Sequence, residues 1–290
     1  MKGRMGLIAG LLASTLIWSL PASAQMPGTG NSPVTIEADS GIEWHREQNI
    51  YVAIGNAKAV RGTVTIYADR LVAHYRAGAD GAASDIYQVE AIGKVRIVTP
   101  SETALGDKGI YDVEKQVMVL TGKGLRFTTP KQTVTARDSL EYWQERKVAV
   151  ARGDAVAWEG ERRVSADTLT AHLVEDAKTR NTRISKVDGF GKLRVSTNSE
   201  IATGSKGVYN LDTNIATLVG DVKVTQGRNQ LNGEYAEVNL TTGVSRMLSG
   251  PAAGRTGQRV RGLLVPEQGS APANTANEPA SPSPAARPRS

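Results

Sequence analysis

Three aspartates recur at related places in the chain, and carboxylates are the residues that acid–base or metal chemistry would need. Asp69, Asp107 and Asp167 each follow a small residue: Ala68, Gly106 and Ala166. General acid–base work requires two carboxylates in different surroundings, so that their pKa values separate. A carboxylate repeated down a ladder meets the same surroundings each time, which favours a turn or surface role. Ser205 and Glu234 take the same place in two further repeats, after Gly204 and Gly233. The chain has 3 His and no Cys. His74 and His172 each follow an alanine, His45 falls in an expected turn, and no pair has metal-ligand spacing. "GFGKL" at 189–193 looks like a phosphate loop but lies in a strand pattern, not ahead of a helix. Neither a Walker pattern nor a nucleophile elbow is present. The sequence therefore predicts no catalytic residue, no metal and no cofactor. Lys94, Arg96, Lys192 and Arg194 form two matching cationic pairs beside apolar positions, read either as a solvated outer face or as a candidate basic rim for an anionic ligand.

The elements that position these residues form a repeat. Gly55, Gly93, Gly122, Gly153, Gly191, Gly220 and Gly250 are spaced by 38, 29, 31, 38, 29 and 30 residues. The series 38-29-30 occurs twice, which gives a 98-residue offset. Residues 86–122 and 184–220 are identical at 15 of 37 positions at that offset, so an internal duplication is expected. Around each glycine the alternation has period two, the signature of a strand with one buried face. Val89, Ala91, Val95 and Ile97 share one face, with Lys94 and Arg96 between them. This parity predicts that the glycine also faces inward. In the third unit Leu125 and Phe127 fall out of step after Lys123-Gly124, which predicts a β-bulge. "HREQN" (45–49), "DVEKQ" (112–116), "QERK" (144–147) and "LTTG" (240–243) read as hairpin links. About six units of roughly 30–38 residues, without a helix, predict an all-β, antiparallel ordered part.

The ends differ from this pattern. "MKGRMGLIAGLLASTLIWSLPASA" has the basic start, apolar run and Ala-x-Ala close of a secretory leader, with cleavage expected before Gln25. Retention as a membrane anchor is the alternative. The expected organisation is a leader at 1–24, a flexible segment at 25–32, a β domain at 33–266 and a disordered Pro/Ala-rich tail at 267–290. Net charge is +6, and a secreted destination argues against nucleic acid as its target. Aromatics make up 5% of residues, few for a carbohydrate enzyme that stacks sugars. Without cysteines, stability must come from packing and strand pairing.

Three segments carry a resemblance: "PVTIEADSGIEW" (33–44), "AIGNAKAVRGTVTIYADRLVAHY" (53–75) and "VRGLLVPEQG" (260–269). In this order, after a cleavable leader, they resemble the LptA/OstA-like family of periplasmic lipopolysaccharide-transport proteins. The resemblance implies an elongated, twisted antiparallel β-jellyroll folded over an apolar groove that carries lipid A. It implies as partners an LptC-like inner-membrane component and an LptD-like outer-membrane translocon, joined by strand-edge pairing, with head-to-tail homo-oligomers as a further form. The duplication departs from a typical member, which has about half as many units. Groove-lining residues would then be Ile36, Ile66, Ala68, Val89, Ala91, Val95, Ile97, Leu120, Leu125, Phe127, Leu193, Val195, Leu218, Val222 and Val224. Small inward residues such as Ala57, Ala59 and Ala166 would leave room for acyl chains. Such a groove has a physical reason. Each acyl CH₂ left in water costs about 0.8 kcal/mol, so a chain of a dozen carbons costs roughly 9 kcal/mol. Two rival readings stand beside the carrier: a membrane-anchored LptC-like component, and a β-solenoid enzyme acting on envelope polysaccharide.

Overall fold

A computed structural model describes residues 34–78, 83–175, 182–239, 241–242, 244–249 and 259–265. The expected leader, the segment 25–32 and the tail lie outside the described residues, as does Gly250. Eighteen antiparallel strands follow in order, with no helix among the described residues. The first eight are β1 (Thr35–Glu37), β2 (Gly41–His45), β3 (Ile50–Arg61), β4 (Val64–Ala77), β5 (Ala83–Val98), β6 (Thr103–Asp112), β7 (Val117–Thr121) and β8 (Arg126–Thr128). Next come β9 (Thr133–Thr135), β10 (Ser139–Trp143), β11 (Val148–Glu159), β12 (Arg162–Glu175) and β13 (Thr182–Ser196). The last are β14 (Glu200–Asn210), β15 (Ile215–Gln226), β16 (Asn229–Asn239), β17 (Val244–Leu248) and β18 (Arg261–Leu263).

Each long strand bends near its middle, and the bends divide one continuous hydrogen-bond network into two leaves. The first leaf runs β2-β3-β4-β5-β6-β7-β10 and then through β11 to β17. In the second leaf β1 pairs with β3, β8 and β9 take the places of β7 and β10, and β18 closes the far end. At ~4.8 Å per strand, fourteen strand segments make each leaf about 60 Å long. This is the elongated antiparallel β-jellyroll that the sequence predicts.

The bend has a defined chemistry. Ile54 pairs with Arg70 and Ala57 with Ala68, so Gly55 and Asn56 on one strand oppose Asp69 alone on the next. Two residues against one is a β-bulge, which bends and twists the strand. Gly93 shows why glycine is needed there. Its φ is +82°, and an added Cβ would stand 2.9 Å from Asp69 Cβ, closer than real contacts allow. Gly191 repeats this against Asp167, with φ +74°. The described recurrent glycines thus turn their bare side toward an outer ridge of polar side chains, Asp at Gly93, Gly122, Gly153 and Gly191 and Ser at Gly55 and Gly220, and not inward as the alternation suggests. Left-handed backbone at two successive residues reverses the side that a Cβ would occupy. The third unit also differs from expectation. Instead of a bulge inside one strand, the chain leaves the ladder at 122–125 and re-enters as β8. Gly122 and Gly124, with φ +115° and +67°, make that interruption.

The hairpin links fall where expected. The last residue of three of them takes left-handed backbone: Asn49 (φ 53°), Gln116 (φ 51°) and Lys147 (φ 51°). Asp112 Oδ1 accepts the Lys115 N–H at 2.9 Å and fixes its turn. Of the fourth link, Leu240 and Gly243 lie outside the described residues.

Candidate lipid-binding groove

The two leaves face each other across an apolar wedge. Beside the bend, on the second leaf, Ala57 and Ala155 are 0% exposed and Val95 and Val222 are 1% exposed. Opposite them, Leu120 and Leu218 are 2% exposed. Two residues farther from the bend burial is uneven: Ala59, Ala157, Val195 and Phe127 are half-buried, whereas Ile97 and Val224 stay buried at 7% and 6% exposure. The apex is therefore tightly packed, and packing loosens away from it at some positions only. Small residues let the leaves close at the apex; they do not hold space open there. A Cβ on Gly109 would sit 3.1 Å from Leu120 Cδ2 and 3.5 Å from Val95 Cγ1, so its absence admits those side chains.

Ile36, Ile66, Ala68, Ala91, Val95, Ile97, Leu120, Leu125 and Phe127 meet in one core cluster. Leu193, Val195, Leu218, Val222 and Val224 meet in a second. Val89 is half-buried and pairs with Ala73 and Tyr111. Ala136 and Leu140 pack against both clusters, which makes the apolar strip continuous along the molecule. Sequence reasoning missed Leu71 and Leu169, buried at 4% and 5% exposure. The cause is the bulge. Alternation keeps phase across Gly-x, which uses two residues, and slips by one across the facing aspartate. Ala68 and Leu71 thus point the same way despite opposite parity. A phase slip at each small-residue–Asp pair was the signal available.

The cationic pairs lie outside the wedge. Lys94 and Lys192 stand on the ridge, with Nζ 3.5 Å from Asp69 Oδ1 and 3.3 Å from Asp167 Oδ1. Arg96 is exposed on the outer face of the second leaf, 3.9 Å above the Tyr67 ring, and Arg194 occupies the equivalent place. Asp107 Oδ2 accepts the Lys123 N–H at 2.7 Å, a structural use of the recurrent carboxylate. The polar clusters on the outer face of the first leaf are duplicated too. Glu90 accepts His74 at 3.2 Å and Lys108 at 2.9 Å. Asp188 accepts His172 at 2.6 Å and Lys186 at 3.2 Å. Lys108, assisted by His74, holds the Glu90 carboxyl below the usual carboxylate range despite burial. These groups are paired cross-strand except Lys186 with Asp188, which pair along β13, and no three His, Asp or Glu among the described residues converge on a metal position. A hollow of ≈ 380 Å³ over His74 and Glu90 is also on this outer face, away from the wedge. The "GFGKL" stretch runs through the bend of β13 and not into a helix.

Polar groups do reach the wedge at its open side. Burial pushes the Glu102 carboxyl up, and the same is true of Glu200, its counterpart 98 residues on. Burial also raises the Tyr142 hydroxyl, and the nearby Glu102 charge adds to this.

The fold is thus a long two-leaf β-jellyroll with a continuous apolar interior, and the carboxylate clusters at Glu90 and Asp188 are paired on its outer face. The family model for the LptA/(LptD N-terminal domain) LPS transport protein matches this chain twice, at 35–138 and 133–244. The chain belongs to that family. The starts of the two matches are 98 residues apart, the offset of the internal repeat. Among curated proteins, an uncharacterized protein, R00383, of Rhizobium meliloti (strain 1021) is 32% identical over 124 residues, 41% of this chain and 66% of that one. The match spans just under two thirds of that relative's length. Among solved structures, LptH of Pseudomonas aeruginosa, described as the LptA homologous periplasmic component of the lipopolysaccharide transport device, is 22% identical. It covers 47% of this chain and 95% of its own, with a TM-score of 0.41.

Proposed function

We propose that the chain is a non-enzymatic periplasmic carrier and bridge, which holds the acyl chains of lipid A in the wedge while lipopolysaccharide crosses from an inner-membrane complex to an outer-membrane translocon. One observation supports this reading: the apolar strip runs unbroken through both copies of the repeat, with Ala59, Ala157, Val195 and Phe127 along it only half-buried. A lipid sliding along such a strip exchanges one apolar contact for another, with little net free-energy change per step. The polar headgroup would remain at the open side, where Glu102, Tyr142 and their neighbours lie. An LptC-like component and an LptD-like translocon would dock by adding strands to the exposed ends, β1–β2 and β17–β18. The amino-terminal leader would direct export to the periplasm, and mass analysis of the mature amino terminus tests that. Depletion of the protein should trap lipopolysaccharide at the inner membrane. Normal surface lipopolysaccharide after full depletion would refute the carrier. Loss of a polysaccharide-cleaving activity in an Asp107→Asn variant, with transport intact, would favour an enzyme instead.

A further inference from the structure

The two halves of the wedge share one backbone but not one lining. Over β2–β5 the mouth of the wedge is filled by aromatic rings. Tyr51 stacks on Trp44 with ring centroids 5.6 Å apart, and its ring lies 5.1 Å from that of Tyr75. The Trp44 indole N–H donates to the Tyr75 hydroxyl at 2.7 Å. Val64, Ala73, Tyr75 and Ile97 are buried there, at 5%, 7%, 2% and 7% exposure. Over β10–β13, 98 residues on, the same ladder positions are lined differently. Ala149 stands opposite Ala171 as Tyr51 stands opposite Ala73. Leu173 takes the place of Tyr75: its N–H donates to the Lys147 carbonyl as that of Tyr75 donates to the Asn49 carbonyl. Val195 pairs with Val164 as Ile97 pairs with Ile66, and Arg162 takes the place of Val64. Ala171, Leu173 and Val195 are half-buried and Arg162 is exposed.

The apex of the wedge does not loosen in the same way. Leu193 is larger than its counterpart Val95, but Gly189 is smaller than Ala91, and a Cβ on Gly189 would stand 2.6 Å from Leu193 Cδ1. One exchange offsets the other, as volume-conserving swaps in a packed core do. At the mouth the one larger side chain, Arg162, is exposed and does not fill the space of the missing rings. Resting on the carrier reading above, we propose that the two halves are unequal sites: the acylated, anionic lipid rests in the mouth over β10–β13, and the rings over β2–β5 close the matching place in the first half. An acyl chain in the second half covers apolar lining that water otherwise reaches, which is where burial is favourable. In the first half it has first to displace Tyr51 and Tyr75 and to break the bond between Trp44 and Tyr75. Arg162 adds a cation at the lip of the second mouth, where an anionic headgroup lies. The lipid therefore passes along the strip but pauses in one half only.

The chain has no cysteine, so a single introduced thiol reports on each half. Four full-length variants, Ala73→Cys, Ile97→Cys, Ala171→Cys and Val195→Cys, are labelled with a small methanethiosulfonate reagent, with and without purified lipopolysaccharide. Without lipid, each second-half thiol should react about tenfold faster than its first-half counterpart, because a buried thiol waits for local opening. Saturating lipopolysaccharide should slow the Ala171→Cys and Val195→Cys thiols by about tenfold and leave the other two within about twofold. Two swaps test the cause, each checked for folding by circular dichroism. Ala149→Tyr with Leu173→Tyr rebuilds the rings in the second half and should remove the protection of Val195→Cys. Tyr51→Ala with Tyr75→Leu opens the first half and should create protection of Ala73→Cys. Equal protection in both halves, protection in the first half alone, or protection that neither swap changes overturns the unequal sites and leaves the carrier reading standing. No protection at any of the four thiols refutes the wedge as the place of the lipid, and this inference with it.

Discussion

Truncating Leu218 separates a packed apex from an open channel. Leu218 is 2% exposed and packs with Leu193, Val222 and Ala236 in the second core cluster. It also fills the space above two glycines, whose added Cβ atoms would lie 3.5 Å from Leu218 Cγ at Gly207 and 3.5 Å from Leu218 Cβ at Gly204. Leu218→Ala removes three buried carbons, about 2.4 kcal/mol of transfer free energy at ~0.8 each. The cavity left behind raises the cost to roughly 3–4 kcal/mol, because two antiparallel leaves joined by short links collapse poorly around it. For a domain of about 200 residues, each kcal/mol moves Tm by about 2–4 °C. Thermal unfolding followed by circular dichroism should therefore show a fall of about 6–16 °C. The half-buried Val195 supplies the contrast: Val195→Ala removes two carbons that are partly in water already, and should cost under about 1 kcal/mol. A Leu218→Ala protein that melts within 2 °C of the parent, a threshold set by the ~2–4 °C per kcal/mol scale, would mean that the apex is open. The graded wedge would then be wrong.

Three further outcomes follow from the same geometry. Gly93→Ala should destabilise by more than Gly62→Ala, as read by urea denaturation. Both residues have positive φ, but only at Gly93 would the Cβ meet a carboxylate, Asp69; left-handed backbone alone costs about 1–2 kcal/mol and the clash adds to it. Glu102→Gln should raise Tm at pH 7.5 and leave it unchanged near pH 4. Burial raises the folded-state pKa of Glu102, so stability is full below the unfolded carboxylate pKa and is lost as pH rises through the folded one. Asp188→Asn should destabilise, because His172 and Lys186 lose the negative charge of their shared partner and one of its two acceptor oxygens; with that side chain 13% exposed, a loss of about 1–3 kcal/mol is expected.

How much of this was legible in the sequence depends on what each signal measures. Period-two alternation reports which face a residue takes within a straight strand, and it placed Val95, Leu120 and Leu218 on the interior correctly. It fails at bends, where Gly55 and Asn56 oppose Asp69 alone and the phase slips on one strand only. Leu71 and Leu169 were lost for that reason, and the ridge glycines were assigned to the wrong side. The 98-residue offset was legible as a duplication. That it encodes a strand-to-strand joint was not, because edge pairing between β7 and β10 is non-local and leaves no mark in either strand. Lys94 and Arg96 looked alike in sequence, yet the bulge sends the first to the ridge and the second to the outer face.

The central claim is that lipid occupies the wedge. A photo-reactive amino acid placed at Val195 or Phe127, half-buried on the inner face, should cross-link to lipopolysaccharide in living cells. The same group at Lys94, 88% exposed on the ridge, should not. Labelling at Lys94 with none at Val195 or Phe127 would contradict the account.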